Sequence, residues 1–478
     1  MTSRYRVEYA LKSHRRDEFI EWIKGLLAVP FVLHADIENY DKGFTEHYTS
    51  LENYDFYVET QESVIAAECR KRYSEIFADV EKLVDHTIFM DEINERNPTK
   101  VAVSRLRKLV PSVGRFFTAL PLKEAFDIED ERRCISKRRL VSPSFNDVRV
   151  ILNTAQVLAL TRIYKDHRKI GSKLKLVTFD GDVTLYEDGK SLTENDAVVK
   201  RLITLLSMDL FVSVVTAAGY PGESGIAKYY ERLKGLIDAI NSKDCILTST
   251  QKQNLLVMGG ESNYLFRYDN ATKNFKFVDA KEWHLPIMLR WDNNKIIHIM
   301  QTIYKHLVHL QARFQLQETT SIVRKERSIG IIPNPGCKIL REHLEEMVLS
   351  CSNKLHEVLV SAPPRRSSIA SEEPESQHFH ESITCDDIKV CAFNGGSDVW
   401  VDIGDKSLGV EALQKYLCQD QTINHICPIL KSESLHIGDQ FASLGANDYK
   451  ARLSACTVWI ANPRETVAIL DDLIGHLL

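Results

Sequence analysis

The sequence predicts an α/β fold: a parallel sheet core, a large α+β segment and an N-terminal mainly helical region. Three observations carry it. Short apolar runs end in polar turns, as Leu174, Leu176, Val177 and Phe179 do before Asp180, and as Leu210 to Val215 do before Thr216; such runs read as strands buried on both faces. Apolar residues also recur at helical spacing. Phe19, Ile20, Trp22, Ile23, Leu26 and Leu27 form a stripe expected to stop at Pro30, and Ile296, Ile299, Met300, Ile303, Leu307 and Leu310 form another. Finally, 263–268 and 275–278 alternate on either side of the turn-rich Asp269–Asn274, which predicts a hairpin.

The residues with chemistry sit where those strands end. Asp180-Gly181-Asp182-Val183-Thr184 delivers two carboxylates into a tight turn at the carboxyl end of a strand, the place where open α/β sheets bind ligands. One carboxylate suits a nucleophile and the other a proton donor beside it. Thr216, with Ala217, Ala218 and Gly219, offers a hydroxyl and free amides to phosphate oxygens. Lys406 precedes a helix-like stretch, 410–417, and brings a compact ammonium. Gly438-Asp439 supplies a further strand-end carboxylate, followed by Gly445-Ala-Asn447-Asp448. Singly, each has a plainer reading: an acidic turn, a threonine satisfying a backbone group, a surface lysine. Together they describe one phosphoryl site.

The order Asp-x-Asp, Thr, Lys, Gly-Asp resembles the haloacid dehalogenase superfamily, with the long interval between Thr216 and Lys406 matching that superfamily's large cap. A closer likeness runs nearly end to end. The stretch from Ser3 to Phe19, Phe179 to Gly189, Gly259-Gly-Glu-Ser-Asn-Tyr264, and Gly438 to Phe441 with Gly445 to Tyr449 is similar to the IMP-specific 5'-nucleotidases of fungi and related parasite enzymes. The resemblance implies a haloacid dehalogenase-like core in 151–220 and 400–478, a cap in 221–399 and a helical regulatory or oligomerisation region in 1–150. It implies hydrolysis of IMP through an aspartyl-phosphate on Asp180, with Asp182 moving the proton and Thr216 and Lys406 holding phosphate. Mg2+ would be bound by Asp180, the Asp182 backbone carbonyl and Asp439, with Asp448 as a supporting partner. Asp188 is carried over as a substrate contact. Asp398, in Phe393-Asn-Gly-Gly-Ser-Asp398-Val-Trp400, resembles the segment of phosphomannomutase-type relatives where cap and core meet substrate. Glu261 and Asn263 could face the base, or form a structural turn. A homotetramer and ATP as an allosteric effector are implied as well.

Composition excludes some classes. The 478 residues are 44% hydrophobic and 27% charged, ordinary globular usage, and a net charge of −5 does not suit a nucleic-acid binder. No run reaches membrane-spanning length, and the first residues alternate charged and apolar groups. Ten scattered cysteines show neither a metal pattern nor a disulfide framework, which fits a reduced cytoplasmic setting. The basic cluster Arg132, Arg133, Lys137, Arg138 and Arg139 reads as a solvated face or an anion site. A Pro- and Ser-rich stretch near 361–383 predicts a disordered loop, in which Ser368 follows a basic pair readable by a kinase. Two other functions stay open at this level: a sugar-phosphate phosphatase or mutase of the phosphomannomutase-like branch, and a non-catalytic nucleotide sensor.

Overall fold

The computed structural model describes residues 17–35, 51–98, 101–138, 141–162, 174–360, 388–419, 428–442 and 445–478. Seven strands make the main sheet: β1 (Leu176–Phe179), β2 (Phe211–Val215), β3 (Leu255–Gly259), β4 (Tyr264–Asp269), β5 (Asn274–Val278), β10 (Ser434–Gly438) and β11 (Cys456–Trp459). Their spatial order is β11-β10-β1-β2-β3-β4-β5, parallel from β11 to β3 and antiparallel thereafter. Four further strands, β6 (Thr320–Arg324), β7 (Ser328–Pro333), β8 (Val390–Asn394) and β9 (Val399–Ile403), form an antiparallel sheet ordered β6-β7-β9-β8.

The main sheet is buried on both faces, as its apolar strands require. Val177, Val212, Val214, Leu255 and Val257 pack under helices Ala197–Ser207, Ser224–Asn241 and Pro463–Leu477. The alternate residues, among them Leu176, Phe211, Val215, Leu256 and Met258, join a second core shared with the four-stranded sheet and with helices Asn293–Arg313 and Arg341–Val360. All six members of the predicted 296–310 stripe are buried there. A third core belongs to the N-terminal helical layer, where Phe19, Ile20, Ile23 and Leu27 meet Tyr73, Phe77 and Phe126.

Two expectations need correction. The first helix, Glu18–Ala35, continues through Pro30. Proline forgoes one backbone bond and strains the preceding turn, yet packing of the stripe carries the helix on. The predicted hairpin exists, pairing Leu265 with Val278 and Asp269 with Asn274, but it extends the core sheet instead of lying in the cap. Leu265 and Phe266 are fully buried, so β4 continues the core beyond β3. The second sheet begins only at Thr320, well after the expected boundary at 221. The loop near 361–383, Ser368, Arg139 and the segment Ser3–Arg16 lie outside the described residues. Within them, no helix is long and apolar enough to cross a membrane.

The second sheet carries a pH-sensitive group. Asp402 on β9 lies opposite Ser328 on β7, whose hydroxyl donates to it at 2.5 Å, and burial pushes its carboxyl up to about 7. The unfolded chain titrates near 3.9. Between these values the folded state holds the extra proton, so this contribution to stability is complete below about pH 4 and lost as pH rises through about 7. The full swing is on the order of 4 kcal/mol. Asp402→Asn keeps the acceptor without the charge. Its urea midpoint is expected to match wild type near pH 4 and to exceed it increasingly toward pH 8; a constant difference across that range would refute the assignment.

Candidate active site

Parallel strands β1, β2 and β10 end side by side, and their following residues converge. Asp180 follows β1, Thr216 follows β2 and Asp439 follows β10. Lys406 is the first residue of a helix, Lys406–Tyr416, whose N-cap is Asp405, accepting from the Leu408 amide. Gly181 permits the close turn after Asp180. A Cβ there would lie 2.6 Å from the Tyr186 hydroxyl oxygen and 3.5 Å from Thr216 Oγ1. Val183, two residues on, has φ 61°, an unusual conformation for a β-branched residue and a mark of local strain in this loop.

Lys406 is wholly buried and ties the centre together. Its Nζ donates to Asp180 Oδ1 at 2.7 Å and to Asp448 Oδ1 at 2.6 Å. Burial alone would lower the ammonium's pKa, but Asp180 and Asp448 overcome this and raise it. Asp448 also sits 3.0 Å from His436 Nε2 and accepts from the Gln440 amide at 2.9 Å. Burial opposes its ionisation, yet Lys406 and His436 hold its carboxyl below the usual range. Asp180 goes the other way. Burial lifts it to about 6 despite Lys406.

Asp180, Asp439 and Asp448 each place one carboxylate oxygen within 4.8 Å of the others, so the cluster can hold a metal ion. The fit can be tested on Asp439. Its Oδ1 is buried with no hydrogen-bond partner, and burial together with the charges of Asp180 and Asp448 pushes its carboxyl up to about 9. A hard divalent cation with oxygen ligands would satisfy that atom and relieve the repulsion. Asp448 already gives both oxygens to protein donors, which suits a supporting role.

The other expected residues surround this centre. Thr216 Oγ1 accepts from the Ala218 amide at 3.2 Å. Asp182 accepts from the Gly189 amide at 3.1 Å and lies 3.9 Å from Arg232; burial raises its carboxyl. Its side chain stands apart from the three-carboxylate cluster. Asp188 and Asp398 are brought near one another, since a Cβ on Gly396 would lie 3.9 Å from Asp188 Oδ2 and the Asp188 charge helps burial to raise Asp398. The β8–β9 turn thus meets the loop that follows Asp180. A cleft of about 540 Å³, lined by Arg341, Glu345, Asn394, Gly396, Asp439 and Gln440, opens beside them, within the size range of small-molecule sites.

Glu261 and Asn263 lie in a turn packed against the Lys406 loop. Asn263 donates to the Ile403 and Gly260 carbonyls at 2.5 Å, while Glu261 is fully buried and accepts from Asn447. Gly260, Glu261 and Ser262 all have positive φ, forming a tight turn against the Lys406 loop, where Ser262 Oγ donates to the Asp405 carbonyl. Arg132, Arg133 and Arg138 of the basic cluster are spent on ion pairs with Asp472, Glu129 and Asp147. Sequence reasoning missed His436, which links Thr178 to Asp448 beneath the site. The available signal was a polar residue at a buried position of an apolar strand, since such a group must find a partner.

Comparison with known proteins agrees with this architecture. The family model described as IMP-specific 5'-nucleotidase matches residues 1–470. The IMP-specific 5'-nucleotidase 1 of Debaryomyces hansenii is 69% identical over 483 residues, covering 100% of this chain and 99% of that protein. The Candida albicans protein of the same name is 64% identical, with 100% of each covered. Among solved structures, N-terminally truncated, IMP-bound Plasmodium falciparum IMP-nucleotidase superposes with a TM-score of 0.67 at 30% identity, covering 91% of this chain and 99% of that one. The ATP-bound form of the parasite protein gives 0.64 at 32% identity, with 88% and 84% covered. With its haloacid dehalogenase-like core and matches spanning nearly its whole length, the chain belongs to the IMP-specific 5'-nucleotidase family of phosphoric monoester hydrolases.

Proposed function

We propose that the chain hydrolyses IMP to inosine and phosphate with Mg2+, through an aspartyl-phosphate on Asp180. The observation that carries this is the convergence of Asp180, Lys406 and the partnerless oxygen of Asp439 at adjacent strand ends. Monoester hydrolysis needs an in-line nucleophile and neutralised equatorial oxygens. Asp180 forms the new P–O bond as the bond to the 5'-oxygen breaks; Asp182 gives its proton to that oxygen and later takes one from the attacking water. Lys406 and Thr216 hold phosphate oxygens, Asp188 contacts the substrate and Asp398 receives a ribose hydroxyl. Asp180, the Asp182 backbone carbonyl and Asp439 would bind Mg2+, which supplies charge neutralisation at the phosphate. We place the enzyme in the cytoplasm as a homotetramer with ATP as effector; the ATP-bound parasite relative supports the last point.

Phosphate release from IMP, AMP, GMP, UMP, mannose 6-phosphate and glucose 6-phosphate, with and without Mg2+ and ATP, tests the proposal. Strong preference for IMP that disappears on chelation is expected. Hexose-selective turnover would transfer the site to sugar phosphates, and absence of turnover would leave a sensor.

A further inference from the structure

Trp459 joins the N-terminal helical layer to the carboxylate cluster. It ends β11 and lies opposite Gly438 in the β10–β11 pair, one residue before Asp439. Its indole Nε1 donates to the Asp439 backbone carbonyl at 2.7 Å. From the other side, the helix Phe145–Thr161 grips the tryptophan backbone. Asn153 Oδ1 accepts from the Trp459 amide at 3.0 Å, and the Trp459 carbonyl accepts from Asn153 Nδ2 at 2.7 Å and Arg149 Nη1 at 2.6 Å. Arg149 is itself buried and paired with Glu465 at 2.8 Å. Phe145 of the same helix meets the indole edge-on, with ring centroids 5.4 Å apart.

Position explains why this matters. Trp459 lines both the cleft beside Asp439 and a second cavity against the N-terminal layer, lined by Phe19, Phe116 and Arg452. Asp439 lies just past the end of its strand, and its Oδ1 is buried without a hydrogen-bond partner. We propose that Trp459 is a positioning residue through which Asn153 and Arg149 of the N-terminal layer set the placement of the Asp439 carboxylate for a divalent cation. The inference rests on the metal-dependent reading of the site. A donor held from outside the ligand set commonly governs metal affinity.

The test is direct binding of Mn2+ to the full chain, followed by the electron paramagnetic resonance signal of the free ion, alongside IMP turnover at saturating Mg2+. Trp459→Phe keeps an aromatic ring and removes the donor; its Mn2+ dissociation constant is expected to rise on the order of tenfold, a larger change than that in kcat for IMP at saturating Mg2+. Asn153→Ala should shift metal affinity in the same direction by severalfold, and Phe145→Leu, which trims packing alone, should leave it unchanged. Wild-type affinity in Trp459→Phe overturns the proposal, as does an equal shift in Phe145→Leu. If Trp459→Phe does not fold, wild-type affinity in Asn153→Ala has the same consequence. A wild-type protein that turns over IMP yet binds no Mn2+ would sink the metal reading itself, a result distinct from failure of the coupling.

Discussion

Lys406→Met is expected to abolish IMP turnover and to lower unfolding free energy by about 3–5 kcal/mol, the usual cost of removing one partner from a buried ion pair. The ammonium is completely enclosed, 2.7 Å from Asp180 and 2.6 Å from Asp448, with the buried Glu261 also contributing to its field. Methionine fills the volume but leaves those carboxyl groups facing an apolar chain. Asp448 is then pushed toward its neutral form or toward water it cannot reach. Lys406→Arg is no remedy, because a planar fork cannot replace a point charge between two carboxylates in a closed space. The double variant Lys406→Met with Asp448→Asn should recover much of the stability and none of the turnover, since removing both partners avoids the stranded charge. Urea unfolding followed by circular dichroism, beside phosphate release, separates the two losses. A Lys406→Met protein as stable as wild type would mean that the ion triad is not the internal strut described here.

What could be read before the structure was local and apolar. β1, β2, the Lys406 helix and the strand before Asp439 announced themselves because a buried parallel strand needs an uninterrupted apolar run and must end in a polar turn. The 296–310 stripe was equally plain, for one helical face has one period. The hairpin at 264–278 was legible as a hairpin, but alternation states which residues pair across a turn and is silent on which sheet receives them. Pro30 misled because its penalty is local while the packing of Ile23 and Leu27 is tertiary. His436 was hidden by its apolar neighbours, and the positive φ of Val183, Glu261 and Ser262 has no sequence signature, because these are not the residues that favour it. Asp180, Asp439 and Asp448 were singled out by order along the chain, and the structure brings them together; their electrostatics depends on Lys406, 226 positions from Asp180.

Asp180→Asn is expected to reduce phosphate release on the order of 10⁴-fold or more, the scale seen when a covalent nucleophile is removed, while the protein stays as stable as wild type or becomes more so. The carboxamide is nearly isosteric, and its oxygen still accepts from Lys406, but its nitrogen lone pair is delocalised and cannot attack phosphorus. Stability should move opposite to activity because the wild-type site crowds Asp180, Asp439 and Asp448 within 4.8 Å with one ammonium among them. Removing one negative charge relieves that repulsion and leaves Lys406 paired with Asp448. Thus Asp180→Asn and Lys406→Met both silence the enzyme but only Lys406→Met lowers the urea midpoint, a contrast that general misfolding cannot imitate. Acid quenching during turnover adds a chemical criterion. Wild type should carry a phosphoryl group on the peptide containing Asp180, detectable by mass spectrometry, and the asparagine variant should carry none. Turnover within tenfold of wild type in Asp180→Asn would remove the covalent step, and direct attack by water would then be the chemistry the site performs.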